Sequence, residues 1–156
     1  MTKPTPEEVT DWQKRLASQA NNRAWALAEA SSRTPAEDDE MLQAAFAAMY
    51  FWKIVGTAGN HAHAAQLVAH VYALLRQPEP AKHYLAQSQP FFLDRESALW
   101  EKAFAHAVAA NVAAAADEHE AHARHYAEAG RIGAALDPED REQFNATLRV
   151  IAVPKT

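Results

Sequence analysis

The fold class is decided by the stretch AFAHAVAANVAAAA, residues 103–116, in which nine of fourteen residues are alanine. Alanine has the highest intrinsic helix propensity. It is also the commonest residue of the whole chain, with 37 alanines in 156 residues against 4 glycines. We therefore expect an all-α protein. The stretch is interrupted by His106 and Asn111 and is shorter than the roughly 20 apolar residues of a membrane-spanning helix, so no membrane association is expected.

Helix starts are marked by short polar residues followed by proline and acid. Thr5-Pro6-Glu7-Glu8 and Thr34-Pro35-Ala36-Glu37 have the pattern of a capping box with proline at the first helical position. Asp137-Pro138 repeats it with an aspartate cap. Simpler caps are predicted before three further helices, at Asn60, Asp94 and Asp117.

Helix ends agree with these starts, since Pro78 and Pro90 disfavour helical geometry at the residues before them. The sequence predicts a single domain over residues 1–156 with about seven antiparallel helices. The predicted helices span residues 6–29, 36–56, 61–76, 79–89, 95–115, 118–134 and 138–151. Short connections favour stacked hairpins over one four-helix core, with the last helix capping the stack.

Large apolar residues recur at helical spacing and predict the core. Trp12 and Leu16 share one face of the first helix, and Trp52 and Trp100 fall on similar stripes of the second and fifth helices. Trp25 lies about 220° around the first helix from Trp12, at 100° per residue. It is therefore either a second packing contact or a recognition anchor.

The segment from Ala62 to Gly133 resembles the tetratricopeptide repeat family. The best match is Ala69, Tyr72 and Ala81, which stand where the family has a small residue, an aromatic residue and a second small residue. Three other family positions are occupied differently, by Ala65, Ser88 and Leu93. The resemblance implies helical hairpins stacked into a superhelix whose first helices line a binding groove.

Composition limits the choice of partner. The net charge is -5, and the 15 lysines and arginines are scattered without a basic stripe, which argues against nucleic acid. The absence of cysteine excludes disulfides and thiolate chemistry and fits a cytoplasmic protein. No nucleophile and base pair is recognisable, and no cofactor is indicated.

Histidine is the enriched catalytic residue type, with eight in the chain. His119, His122 and His125 lie three apart on the predicted sixth helix, and adjacent members of this set could share a metal ion. Separately, Ala81-Lys82-His83-Tyr84 resembles Ala123-Arg124-His125-Tyr126, so His83 and His125 precede aromatic residues at matching places.

Two hypotheses about function follow. The first is a noncatalytic helical scaffold that binds a protein or peptide in the groove formed by the first helices of its hairpins, or that self-associates as a homo-oligomer. Its candidate binding residues are Trp25, His83, His125 and Tyr126. The alternative is a small-molecule or metal-binding bundle, or an enzyme, that uses the three histidines of the sixth helix.

Overall fold

A computed structural model describes residues 2–156, which form seven α-helices and no strand. The helices are α1 (Pro6–Ala28), α2 (Pro35–Val55), α3 (Ala58–Leu74), α4 (Pro78–Leu93), α5 (Leu99–Ala115), α6 (His119–Gly133) and α7 (Pro138–Leu148). The all-α fold expected from the alanine content is confirmed. Every helix boundary lies within four residues of its predicted position.

The proline-marked helix starts are confirmed. Thr5 accepts a hydrogen bond from the Glu8 backbone at 3.2 Å, and Glu8 accepts one from the Thr5 backbone at 2.8 Å, which closes the capping box. Thr34 forms the same reciprocal pair with Glu37. Asp137 accepts from the first turn of α7. These contacts satisfy backbone N–H groups that have no partner inside the helix.

The three simpler caps are wrong. Thr57 caps α3, and Asn60 lies one turn inside that helix and completes the capping box. Asp94 ends α4, and α5 begins only after Ala98. Asp117 has a φ of 57° and lies in the turn after α5. Asparagine and aspartate favour turns and left-handed backbone as well as N-caps, so residue type alone does not separate a helix start from a helix end.

The predicted end of the fourth helix at residue 89 is also wrong, because α4 continues through Pro90 to Leu93. Proline inside a helix costs about 3 kcal/mol through its missing N–H and its steric clash. The extra turn carries Phe92, which is fully buried against Ala62 and Ala105. Burial of this ring offsets the cost of the proline.

The helices form three antiparallel hairpins, α1–α2, α3–α4 and α5–α6, followed by α7. The first helices of successive hairpins contact each other, α1 with α3, α3 with α5, and α5 with α7. The second helix of each hairpin contacts the next first helix, α2 with α3, α4 with α5, and α6 with α7. Buried clusters lie between the packed helices, and alanine at these contacts allows close helix approach.

The last hairpin is closed by α7 as expected. Phe144 packs into the cluster between α5, α6 and α7, and Ile151, which lies beyond the end of the helix, is buried with it. Gly133 of α6 makes this contact possible, because a Cβ there would come within 2.3 Å of the Phe144 ring. A side chain at position 133 would push α7 away from the stack.

The predicted core stripe of α1 is wrong at its beginning. Trp12 is 51% exposed and Leu16 is 45% exposed, whereas Ala24 and Leu27 further along the helix are buried. The first hairpin is the end of the stack, so no further layer covers its outer side. Trp52 and Trp100 are also only partly buried. Across residues 2–156, none of the helices combines the length and apolarity required to cross a bilayer.

Candidate functional site

A cleft of about 640 Å³ lies along the first helices of the hairpins. It is lined by residues of α1 and its C-cap, the end of α2, and α3, α5 and α7, namely Asn21, Asn22, Trp25, Glu29, Trp52, Asn60, His63, Gln66, Trp100, Phe104, Asp140, Glu142, Gln143 and Ala146. Its volume is within the range of roughly 300–1,000 Å³ that is typical of ligand sites. Because its lining comes from five helices, the cleft is formed by the packing of the hairpins and α7.

Aromatic rings form one side of the cleft. Phe104 lies between Trp25 and Trp100 and makes edge-to-face contacts with both, with ring centroids 6.1 and 6.2 Å apart. Trp100 stacks on His63 at 5.5 Å and is still 38% exposed, so part of its indole is open to a ligand. Trp52, at the end of α2, completes the aromatic lining.

A polar stripe runs along α3 beneath these rings. It consists of His63, Gln66 and His70, whose spacing of three and four residues places them on one face of the helix. The two ends of the stripe have different surroundings. The His63 end opens into the cleft, whereas the His70 end is closed.

At the open end, His63 is held by three contacts. Its Nε2 lies 3.1 Å from Oε1 of Glu101, its ring stacks on Trp100, and the centroid of the buried Phe92 ring lies 4.7 Å from its own. The side chains of His63 and Glu101 are 33% and 19% exposed. This pair is therefore within reach of solvent and of a ligand in the cleft.

In the middle of the stripe, Gln66 is only 3% exposed and lines the cleft. Its carboxamide forms no hydrogen bond with any residue that the structure describes. Within residues 2–156, the sealed side-chain polar atoms without a partner are Nε2 of His70 and Oγ1 of Thr147. The polar atoms of Gln66 are not among them and therefore keep access to the cleft. A buried amide that lacks a partner costs free energy unless water or a ligand satisfies it.

At the closed end, His70 is fully buried between Trp25 and Asn111. The Asn111 amide nitrogen lies 3.0 Å from Nδ1 of His70 and 3.5 Å from the His70 carbonyl oxygen. A carbonyl can only accept, so the amide donates to both, Nδ1 accepts and the ring proton lies on Nε2. Burial, with a smaller effect of Arg33, lowers the pKa of His70 to about 4. His70 is therefore neutral near pH 7.

The charged residues that line the cleft are acidic. Glu29, Asp140 and Glu142 line it, and no lysine or arginine does so within residues 2–156. Burial raises the pKa of Glu29 although the Arg149 charge opposes this effect. Burial and the neighbouring Asp137 raise the pKa of Asp140. A cation on a ligand would stabilise the charged form of these carboxylates.

The predicted binding residues are separated in the structure. Trp25 lines the cleft, but His83, His125 and Tyr126 do not. His83 is exposed on α4 beside Gln87, and Nδ1 of His125 lies 3.0 Å from Nδ1 of His106.

Tyr126 packs against the cluster between α5, α6 and α7 and borders a more open depression of about 710 Å³ along α7. The similarity between the segments at residues 81–84 and 123–126 therefore reflects equivalent positions on the second helices of two hairpins. Those helices lie away from the cleft.

The three histidines of α6 do not converge. His119 is exposed, and the buried His122 is hydrogen-bonded to the Ala152 carbonyl oxygen at 2.6 Å. His125 is paired with His106 of α5, and burial lowers the pKa of both imidazoles. No group of three or more histidine, aspartate or glutamate side chains in the described part of the chain has an arrangement that would hold a metal ion.

Several cleft residues were missed by the sequence reasoning. Trp52 and Trp100 were placed in the core because their helical spacing fits an apolar stripe. No motif marks His63 and Gln66, although polar residues at spacings of three and four in the mostly apolar α3 are a usable signal. That signal identifies a helix face but does not show which end of it is open.

Comparison of the chain with known protein families, curated proteins and solved structures finds no match to any of the three.

Proposed function

We propose that the protein is a noncatalytic helical scaffold that binds a peptide segment of another protein in the cleft along α1, α3, α5 and α7. The observation that carries the proposal is the cleft itself, which combines partly exposed indoles with a buried amide that has no partner in the described chain. This combination suits a ligand that presents both apolar side chains and backbone amides.

The shape of the cleft supports a peptide over a compact small molecule. The helices α1, α3, α5 and α7, which contact one another in succession, span about 25–30 Å, since packed helix axes lie 8–10 Å apart. An extended peptide rises about 3.3 Å per residue, so roughly eight residues would cross the four helices. Hairpin stacking also supports a divergent tetratricopeptide-like scaffold, whose first helices would face the ligand.

The chemistry of the lining supports the same proposal. Asn21, Asn22, Gln66 and Gln143 supply amides that donate and accept hydrogen bonds, as a peptide backbone requires. Trp25 and Trp100 supply large, rigid surfaces for side chains. The proposal transfers the binding role expected for His83, His125 and Tyr126 to residues of the first helices.

The test is selection of binders from a random 12-residue peptide library against the immobilised protein, followed by titration of the enriched peptides. Three of the four tryptophans line the cleft and Trp12 does not. We expect the indole N–H signals of Trp25, Trp52 and Trp100 to shift in NMR spectra during titration, while the Trp12 signal stays unchanged.

Two variants complete the test. Trp100→Ala is expected to weaken binding about tenfold or more, as truncating an aromatic anchor typically does. Trp12→Ala is the matched control and is expected to bind like the parent. The proposal is contradicted if no peptide is enriched, if enriched peptides bind Trp100→Ala equally well, or if they shift Trp12 alone.

A further inference from the structure

We infer that the cleft selects a basic peptide, with a lysine or arginine side chain seated against the indoles and among Glu29, Asp140 and Glu142, and with the peptide backbone paired to Gln66. This inference rests on the proposed function and specifies the partner. Three independent features of the cleft point to it.

The first feature is unmatched charge. Some carboxylates of the described chain meet cations directly, as in the pairs Arg23–Glu40 and Arg33–Asp38, each at 2.7 Å. Among the ion pairs of residues 2–156, none involves Glu29, Asp140 or Glu142. Arg149 acts on Glu29 from a distance but does not line the cleft. The cleft therefore lacks the cation that its carboxylates favour.

The second feature is the aromatic lining. A tryptophan face attracts a cation more strongly than any other side-chain ring, and arginine uses such faces more often than lysine. The protein already contains one such contact, since the Arg95 guanidinium lies 4.4 Å from the centre of the Phe91 ring. In the cleft, Trp25, Trp52 and Trp100 offer indoles beside the carboxylates without any arginine of the described chain lining the same space.

The third feature is Gln66, which is 97% buried, lines the cleft and has no hydrogen-bond partner among residues 2–156. A primary amide on a cleft floor is neutral, so it does not compete with the carboxylates for a cation. It matches a peptide bond, because its NH2 group can donate to a backbone carbonyl while its own carbonyl accepts from a backbone N–H group. This residue marks a place for the backbone of the ligand, while the indoles and carboxylates receive its side chain.

Net charge adds a long-range contribution. The chain carries a net charge of -5, which attracts a positively charged segment before contact is made. Such attraction weakens as salt screens it, whereas stacking on an indole does not. Salt dependence therefore separates the two contributions to binding.

The experiment uses a peptide enriched by the library selection and the full chain. We expect the enriched peptides to share a lysine or arginine at one position more often than the unselected library does. Replacement of that residue by glutamine should weaken binding about tenfold, the combined effect of a cation–π contact and a charge pair. Replacement by glutamate should abolish measurable binding. Raising sodium chloride from low to high concentration should weaken binding of the parent peptide severalfold.

Variants of the protein test which cleft residues bind the basic side chain and which bind the peptide backbone. Glu142→Gln should weaken binding of the basic peptide about threefold and leave binding of its glutamine analogue unchanged, the pattern of a double-mutant cycle for one charge pair. Glu139→Gln is the matched control, because Glu139 is exposed on the same helix but does not line the cleft. Gln66→Leu should weaken both peptides equally, since it removes a backbone contact.

The outcomes distinguish the inference from the proposed function. Enriched peptides that shift the three cleft tryptophans but are neutral or acidic would overturn the inference and leave the function standing. Equal effects of Glu142→Gln and Glu139→Gln would also overturn it, because the attraction would then belong to the whole surface. Failure to enrich any peptide would contradict both.

Discussion

The two ends of the polar stripe on α3 differ in what covers them. His70 and His63 lie two turns apart on one face of the same helix. Trp25 stacks on His70 at 5.5 Å and Asn111 pairs with it, so no water reaches the ring. His63 has Trp100 and Glu101 as partners but stays partly open. The same residue type is thus sealed at one end and accessible at the other.

This difference shows how a stack of helices creates a binding site. Where Trp25 of α1 lies over α3, the interface closes. The His70 ring then keeps one polar partner, Asn111, and its Nε2 is sealed without one. Toward His63 the interface opens into the cleft, and the polar groups of Gln66 and His63 along it remain accessible. A site of this kind needs no strained backbone or special motif.

The largest effect is expected from removing the cover of the closed end. Trp25→Ala should lower the free energy of unfolding by about 3 kcal/mol, the lower part of the range for a truncated tryptophan because Trp25 is only partly buried. Urea denaturation at pH 7.5 measures it. Trp12→Ala is the control and should cost below about 1 kcal/mol, since Trp12 is 51% exposed. Equal losses for both variants would show that Trp25 does not close the interface.

The pH dependence of the free energy of unfolding tests the closed end of the stripe separately. Burial lowers the pKa of His70 to about 4, whereas histidine in an unfolded chain titrates near 6.5. Between these values the unfolded chain binds more protons, so acid destabilises the fold as the pH falls from about 6.5 to about 4. The contribution of His70 to this loss is about 3 kcal/mol, at 1.36 kcal/mol per pKa unit.

The measurement is urea denaturation at several pH values for the parent and His70→Gln. The variant should lack that part of the acid loss. The other acid-sensitive groups are common to both proteins and cancel in the difference. If His70→Gln keeps the full acid loss, His70 is not a buried neutral group in the folded protein.

The smallest effect is expected at the open end. His63→Ala should change the free energy of unfolding by less than about 1 kcal/mol at pH 7.5, because a partly exposed pair such as that with Glu101 contributes little. The same denaturation assay measures this change. If His63→Ala lowered the free energy of unfolding as much as Trp25→Ala, the open end would contribute as much to stability as the closed end. The proposed difference between the two ends would then be wrong.

Local signals predicted the helices well because each acts within a few residues. Thr5, Thr34 and Asp137 cap helices through contacts three residues away, and alanine propensity needs no partner. The predicted end of α4 before Pro90 was wrong because a long-range contact outweighs the local effect of the proline. The helix continues past Pro90 because Phe92 is buried against α3 and α5, which are distant in sequence.

The tryptophans show where periodicity stops being informative. Trp12, Trp52 and Trp100 all fit an apolar stripe, yet one is on the outer side of the first hairpin and two line the cleft. The spacing predicts that Trp25 faces away from Trp12, but its contacts with His70 and Phe104 depend on residues of two other helices. Spacing along one helix gives a direction around its axis, without saying which neighbour stands in that direction.

The amino-acid order was enough to establish an all-helical chain, the number of its helices and most of their ends, since propensity, capping and proline geometry are short-range effects. The cleft, its acidic charge, the open Gln66 amide and the sealing of His70 emerged from the packing of the hairpins. These features depend on which surfaces of separate helices meet. That outcome is governed by burial and shape across the whole stack, which no local pattern encodes.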